Sequence, residues 1–292
     1  MKSSLEGYVL LVGLSVVWGM AFVAIKVADS ELSFENLTLL RWLMVSACFL
    51  ALYPFLARPS APFERRDIPR LVLVSLANVD IYHLSLNFSE KTVPAALAGL
   101  LGSLSPVFVV VLSIITLRER ISGKLVTALG LAMAGAVLVS LPSMALGGVS
   151  PTGPLAAAIA ALASGTYIAF SKPLVSKYGA FPVAMWASFI GTAVLLPLLS
   201  PSVVSQAASM NLTGWAALLY LVGPSTVVGN LVMFTLIGRY PAVSRLGVQM
   251  YLIPVMSVVG GVLILGESLH AFILVGGAIM LLAVAVAMRI RH

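Results

Sequence analysis

Two intervals of this chain carry no formally charged side chain, one between Lys124 and Lys172 and one between Lys177 and Arg239. Each is long enough for two helices of about 20 residues with a turn between them, the length that crosses the hydrocarbon core of a bilayer. Soluble domains are charged at roughly a quarter of their positions. Here 9% of 292 residues are charged, 60% are hydrophobic and the mean hydropathy is +1.09. The chain therefore reads as an all-α integral membrane protein of many spans.

Hydropathy, helix breakers and isolated charges divide it into ten transmembrane helices, near 5–28, 35–56, 69–89, 92–117, 121–141, 152–175, 181–199, 214–238, 242–265 and 269–288. The apolar run after Lys2 continues past the length of a signal-peptide core and lacks a small-x-small cleavage site, so it is expected to be a retained first span. With the amino end inside, fourteen Lys and Arg residues fall in cytoplasmic segments and two, Lys26 and Lys91, outside, leaving Arg41 within the second span. The bias predicts a multi-pass protein of a bacterial-type plasma membrane with both termini cytoplasmic. It also accounts for the net charge of +7 without nucleic acid, since the basic residues form no single face. Cys48 is the only cysteine and has no intrachain partner for a disulfide.

Placing SPVFVVVLSIITLRERI, Ser105 to Ile121, over IPVMSVVGGVLILGESL, Ile253 to Leu269, matches Pro106 with Pro254, Leu117 with Leu265 and Glu119 with Glu267. WGMAFVAIK, Trp18 to Lys26, pairs more weakly with SGTYIAFSK, Ser164 to Lys172. The chain reads as a five-helix unit repeated, 1–145 and 146–292. An odd number of spans makes the second copy enter from the opposite side, giving two inverted five-helix repeats. Glu119 and Glu267 are expected to cap the turns they sit in, bonding to the start of the following helix.

On these segments, with LNFSEKTVPAALAGLLGSLSP upstream and GLAMAGAVLVS downstream of the first, the sequence resembles the drug/metabolite transporter superfamily in its ten-helix EamA-type branch. The resemblance covers nearly the whole chain. It implies two bundles around a central cavity, alternating access and export of small metabolites, and is nearest to exporters of amino acids, aromatic ones included. The polar residues of the third and ninth spans, Asn78, Asp80, His83, Arg245 and Gln249, depart from the branch's apolar pattern and argue against a purely hydrophobic cargo.

Ionisable groups deep in a span are costly unless they pair or line a cavity. Asp80 and His83, three apart on the third helix, are therefore candidates for proton coupling or for holding an ammonium group, with an internal Asp–His hydrogen bond as the structural alternative. Candidate substrate-binding residues are Trp18, Phe22, Asn78, Tyr82, Tyr167, Asn230, Gln249 and Tyr251, combining apolar walls with amide and hydroxyl donors suited to a carboxylate. Ser225, Thr226 and Arg245 adjoin that set, although Arg245 reads equally as a cytoplasmic anchor. Pro106 and Pro254 are candidate hinges, Gly19, Gly99, Gly102, Gly130, Gly135 and Gly165 are expected at close helix contacts, and Trp42, Trp186 and Trp215 read as interfacial belt residues.

There is no H-E-x-x-H, G-x-S-x-G or Walker motif, and the histidines at 83, 270 and 292 are too dispersed for a metal site. The expectation is a secondary transporter and not an enzyme, without cofactor or metal, acting on a small molecule in the lipid bilayer and working as a monomer. A broad drug or metabolite efflux carrier and a carrier of lipid- or nucleotide-linked sugars remain as alternatives.

Overall fold

The computed structural model describes residues 2–56, 62–118, 122–145, 150–240, 243, 246, 252–268 and 271–288. Glu119, Pro241, Arg245, Gln249 and Tyr251 lie outside the described residues. Among those described there is no strand. The helices are α1 (Lys2–Asp29), α2 (Phe34–Leu56), α3 (Arg65–Thr92), α4 (Ala95–Leu117), α5 (Gly123–Ala145), α6 (Thr152–Tyr178), α7 (Ala180–Leu195), α8 (Leu212–Arg239), α9 (Leu252–Leu265) and α10 (Ala271–Met288). The spans built on α1 to α4 and on α6 to α8 are long and apolar enough to cross a membrane. Large apolar side chains such as Phe55, Leu212 and Leu263 are exposed on the outside of the bundle, where a soluble protein would place charge. The molecule is an integral membrane protein.

The segment SPSVVSQAASMNLTG, expected as a turn, instead contains a short helix, Pro201–Ser209. Pro201 occupies its first turn, where a missing N–H costs nothing. Its polar residues tie it to the start of α2: Gln206 Oε1 accepts from Asn36 Nδ2 at 2.7 Å and from Ser33 N at 3.0 Å.

Packing exchanges the two halves. The first helix of one half lies against the third and fourth of the other: α1 packs on α8 and α9, and α6 on α3 and α4. Correspondingly, α2 packs on α7 and α5 on α10. Two glycines permit the α1 and α6 crossings. A Cβ on Gly19 would overlap Met256 and the Ile253 carbonyl, and one on Gly165 would overlap Phe108 and Val109 N. Gly99 has the same role against Ser257, whereas Gly130 faces open space and is no packing position.

The matched lysines of α1 and α6 close the carbonyl ends of the third helices. Lys26 Nζ donates to the Glu90 and Val93 carbonyls at the end of α3. Lys172 Nζ donates to Ile237 O at 2.7 Å and Tyr240 O at 2.6 Å at the end of α8. A cation there satisfies orphan carbonyls and opposes the negative end of the helix dipole. The turns after α4 and α9 also correspond, with Arg118 at φ 53° and Gly266 at φ 67°, both left-handed.

The carboxylate of Glu267 caps a helix distant in sequence, where the sequence led to the following one being expected. It accepts from Ala95 N at 2.7 Å and Ala96 N at 3.0 Å, the first turn of α4 in the other half. Backbone N–H groups at any helix start are unsatisfied, and tertiary packing brings this one to Glu267.

Candidate central cavity

Both third helices are locally widened. α3 passes through π-helical Leu76–Ile81 and α8 through Leu221–Val228. A π turn adds a residue and displaces carbonyls from the i→i−4 ladder, leaving them for other donors. On α8, Ser225 O accepts from Trp18 Nε1 at 2.9 Å, and Leu221 O accepts from the Thr226 hydroxyl at 2.6 Å. On α3, Asn78 O lies 2.8 Å from His83 Nδ1, which must carry the proton because a carbonyl only accepts.

A cavity opens beside these two stretches. Its lining includes Trp18 and Phe22 of α1, Arg41 of α2, Asn78, Tyr82 and His83 of α3, and Pro106 of α4 from the first half. From the second come Tyr167 of α6, Ser225, Thr226 and Asn230 of α8, and Pro254 of α9. Residues far apart in sequence are thus brought around one space. α4 is interrupted beside it: the helix ends at Gly102 and restarts at Ser105, with Pro106 in the first turn of the second piece.

Asp80 is not among the lining residues. It is buried, and neither carboxylate oxygen has a hydrogen-bond partner among the described residues. The Asp80–His83 bond offered as the structural alternative does not form; His83 Nδ1 is bonded to the carbonyl of Asn78, within the widened turn, instead. His83 is wedged edge-on between Trp42 and Tyr82, with ring centroids at 5.0 and 4.7 Å. Trp42 is fully buried and is therefore not a belt residue, while Trp186 is exposed beside Phe63 and Phe189.

Arg41, read from sequence as a residue near a span end, is instead a wall of the cavity and 3% exposed. Its Nε and Nη2 donate to Thr226 Oγ1 at 2.9 and 2.6 Å, and Nη2 also reaches Ser225 Oγ at 3.3 Å. Nη1 has no partner among the described residues. A lone arginine inside LTLLRWLMV was the available sequence signal, since a cation in such a run needs a cavity or a partner.

Glu90 was not singled out by the sequence reading. It is fully buried near the end of α3, and both its carboxylate oxygens lack partners among the described residues. Nearby, Asp29 and Lys91 lie 3.7 Å apart. At the opposite end of α3, Lys177 of α6 binds Glu64 at 2.5 Å and Asp67 at 2.7 Å, and Arg66 also pairs with Glu64. The hydrogen bond from Lys177 is the main reason the Glu64 carboxyl titrates below its ordinary range. Among the described residues no group of three or more His, Cys, Asp or Glu side chains could hold a metal ion.

Comparison with known proteins agrees with this architecture. The model of the EamA-like transporter family matches twice, at residues 5–141 and 151–289. An uncharacterized transporter of Archaeoglobus fulgidus is 31% identical over 94% of this chain and 95% of its own length. A probable terminal-alkyne amino-acid exporter of Streptantibioticus cattleyicolor is 31% identical over 90% of this chain and 87% of its own. A probable amino-acid metabolite efflux pump of Escherichia coli is 27% identical over 91% and 89%. A crystal structure 19% identical in sequence superposes with a TM-score of 0.67 over 97% of this chain and 96% of that one, a likeness of fold. The chain, a transmembrane transporter, belongs to the EamA-like transporter family.

Proposed function

We propose that the protein is a secondary transporter that exports amino acids, aromatic and other hydrophobic ones, through the central cavity by alternating access. The observation that carries this reading is the composition of that cavity, in which aromatic rings of α1, α3 and α6 adjoin hydrogen-bonding groups of α2, α3 and α8. Such a mixture suits a ligand with an apolar side chain and a polar backbone. Two of the relatives named above carry names of amino-acid or amino-acid-metabolite exporters, in the same direction.

In this reading the segments 1–145 and 146–292 are inverted repeats that rock about the cavity between them, with Pro106 and Pro254 as hinges. Substrate contacts come from Trp18, Phe22, Asn78, Tyr82, Tyr167 and Asn230, joined by Gln249 and Tyr251 from the undescribed stretch. Asp80 is the proton-coupling group, and His83, held by the Asn78 carbonyl, positions α3 beside it. The protein works as a monomer in the plasma membrane with both termini in the cytoplasm.

The test is uptake of radiolabelled aromatic and aliphatic amino acids into liposomes containing the purified protein, with and without an imposed pH gradient. Saturable uptake above protein-free liposomes is expected, and its absence from correctly inserted protein would remove amino acids as cargo. Broad metabolite efflux is the second reading, favoured by the many alanine and aliphatic positions in the lining. A sugar-phosphate cargo would need several cations, and Arg41 is the one Lys or Arg among the described lining residues.

A further inference from the structure

We infer that the cavity is a carboxylate receptor built on Arg41, one that requires the acid group of its ligand and not the amino group. The inference rests on the transport reading above and narrows its substrate class to organic monocarboxylates, of which amino acids are one kind.

Arg41 is buried, and it is held by neutral groups. Thr226 and Ser225 take its Nε and Nη2, and no carboxylate of a described residue comes within 4.0 Å of it. Hydroxyls orient a guanidinium without neutralising it; the buried Glu90 carboxyl acts on it only through space, with no ion pair between them, and a buried cation lacking a paired counter-charge is costly. Fixing the other two nitrogens leaves Nη1 as the donor without a partner among the described residues. The anchor is itself rigid, since the Thr226 hydroxyl that accepts from Arg41 donates to the Leu221 carbonyl within the widened turn of α8. The Nη1 of a guanidinium held in this way is a charged donor suited to one oxygen of a carboxylate.

The complementary half of the argument is the missing acid. None of the described lining residues is Asp or Glu. Residues 241, 242, 244, 245 and 247–251, which precede α9 in sequence and lie outside the described residues, contain no Asp or Glu either. Asp80 and Glu90 are buried and do not line the cavity, although Glu90 is near enough to Arg41 to act on it electrostatically. An ammonium group would meet amides, hydroxyls and carbonyls, which tolerate it without demanding it. An amine lacking the carboxylate would add a second cation beside Arg41.

The test uses the wild-type protein and three analogues of phenylalanine: phenylpyruvate and N-acetylphenylalanine keep the carboxylate without an ammonium, and phenethylamine keeps the ammonium alone. Thermal protection of the purified protein in detergent, and competition against radiolabelled phenylalanine in liposomes, are measured for each. Both acids are expected to act within about threefold of phenylalanine and the amine to be weaker by about tenfold to a hundredfold, the range for a hydrogen-bonded charged contact. R41Q is expected to abolish that preference, and R41K to keep part of it because a point charge remains without the fork. An amine that protects as well as the acids overturns the inference and leaves amino-acid transport standing. Failure of phenylalanine and every analogue to protect or compete overturns both. Should R41Q not fold, T226V, which loosens the guanidinium while retaining it, is expected to reduce the preference for acids, and an unchanged preference would count against the assignment.

Discussion

α3 and α8 are the corresponding third helices of the two halves, and they share a framework while differing in chemistry. Both contain a π-helical stretch at the cavity, and both end at a lysine from the first helix of their own half. Where α3 has Asp80, His83 and Glu90, α8 has Val228, Leu231 and Gly238. Their beginnings differ too: α8 starts on Asn211, whose Oδ1 accepts from Thr213 N at 2.8 Å, and α3 starts at the Glu64, Asp67 and Lys177 cluster. The shared features are those that bury backbone and close helix ends. The unshared ones are ionisable groups, which α3 carries and α8 lacks at these positions.

The largest expected effect breaks the framework. Gly19→Leu and Gly165→Leu force side chains into α9 and α4, so each is expected to cost about 3 kcal/mol or more and to prevent recovery of monodisperse protein. A symmetric scaffold predicts losses of similar size, and tolerance of one substitution alone would break the correspondence.

Removing the caps comes next. Lys26→Met and Lys172→Met each leave orphan carbonyls and are expected to lower stability by about 2 kcal/mol, read as thermal unfolding in detergent. Equal losses sharpen the comparison, while a harmless Lys172→Met would show that only α3 depends on its cap.

Asp80→Val gives α3 the residue found on α8. Stability is expected to rise by about 1 kcal/mol as a buried carboxylate without a partner disappears, while uptake loses its response to a pH gradient. A response that survives would move coupling away from Asp80, with Glu90→Gln the next variant to measure.

At the matched turns, Arg118→Gly is expected to stabilise by up to about 1 kcal/mol, because left-handed backbone is strained for a residue with a Cβ. Gly266→Arg should do the reverse, and opposite signs in the two unfolding temperatures are the check.

The smallest effect concerns the exposed cluster at the start of α3. Lys177→Met is expected to lower the unfolding temperature at neutral pH only slightly, since exposed ion pairs contribute little. The Glu64 carboxyl is lowered from 4.5 by Lys177, so its contribution is present above that pH and fades as pH falls through the lower folded value. The Lys177→Met difference should therefore shrink further in acid, and growth in acid would contradict the assignment.

Much of the framework was legible because lipid imposes it locally. The charge-free intervals marked the spans, and α2 and α4 end where the breakers and charges near Arg58 and Arg118 suggested. The overlay of Pro106 on Pro254 also located Glu267, although its partners in α4 could not be read from a linear repeat. The π turns were not legible, since LANVDI and LVGPSTVV carry no periodic signal for an added residue. Trp42 was misread because an aromatic toward the end of an apolar span looks alike whether it faces the interface or His83.

The sequence by itself determined that this chain enters a bilayer as helices and that one family model matches it twice, because length, apolarity and recurring motifs are properties of short segments. Only the tertiary structure decided which charges share a space. Whether Arg41 meets lipid headgroups, Glu90 or a cavity depends on the rotation of α2 against α8, and that rotation is set by contacts between residues about 185 positions apart. The same packing that seats the guanidinium on Thr226 keeps Asp80 out of the cavity. The physical reason is that helix formation is a local hydrogen-bonding decision, whereas the neighbours of a buried charge are chosen by the close packing of every helix around it.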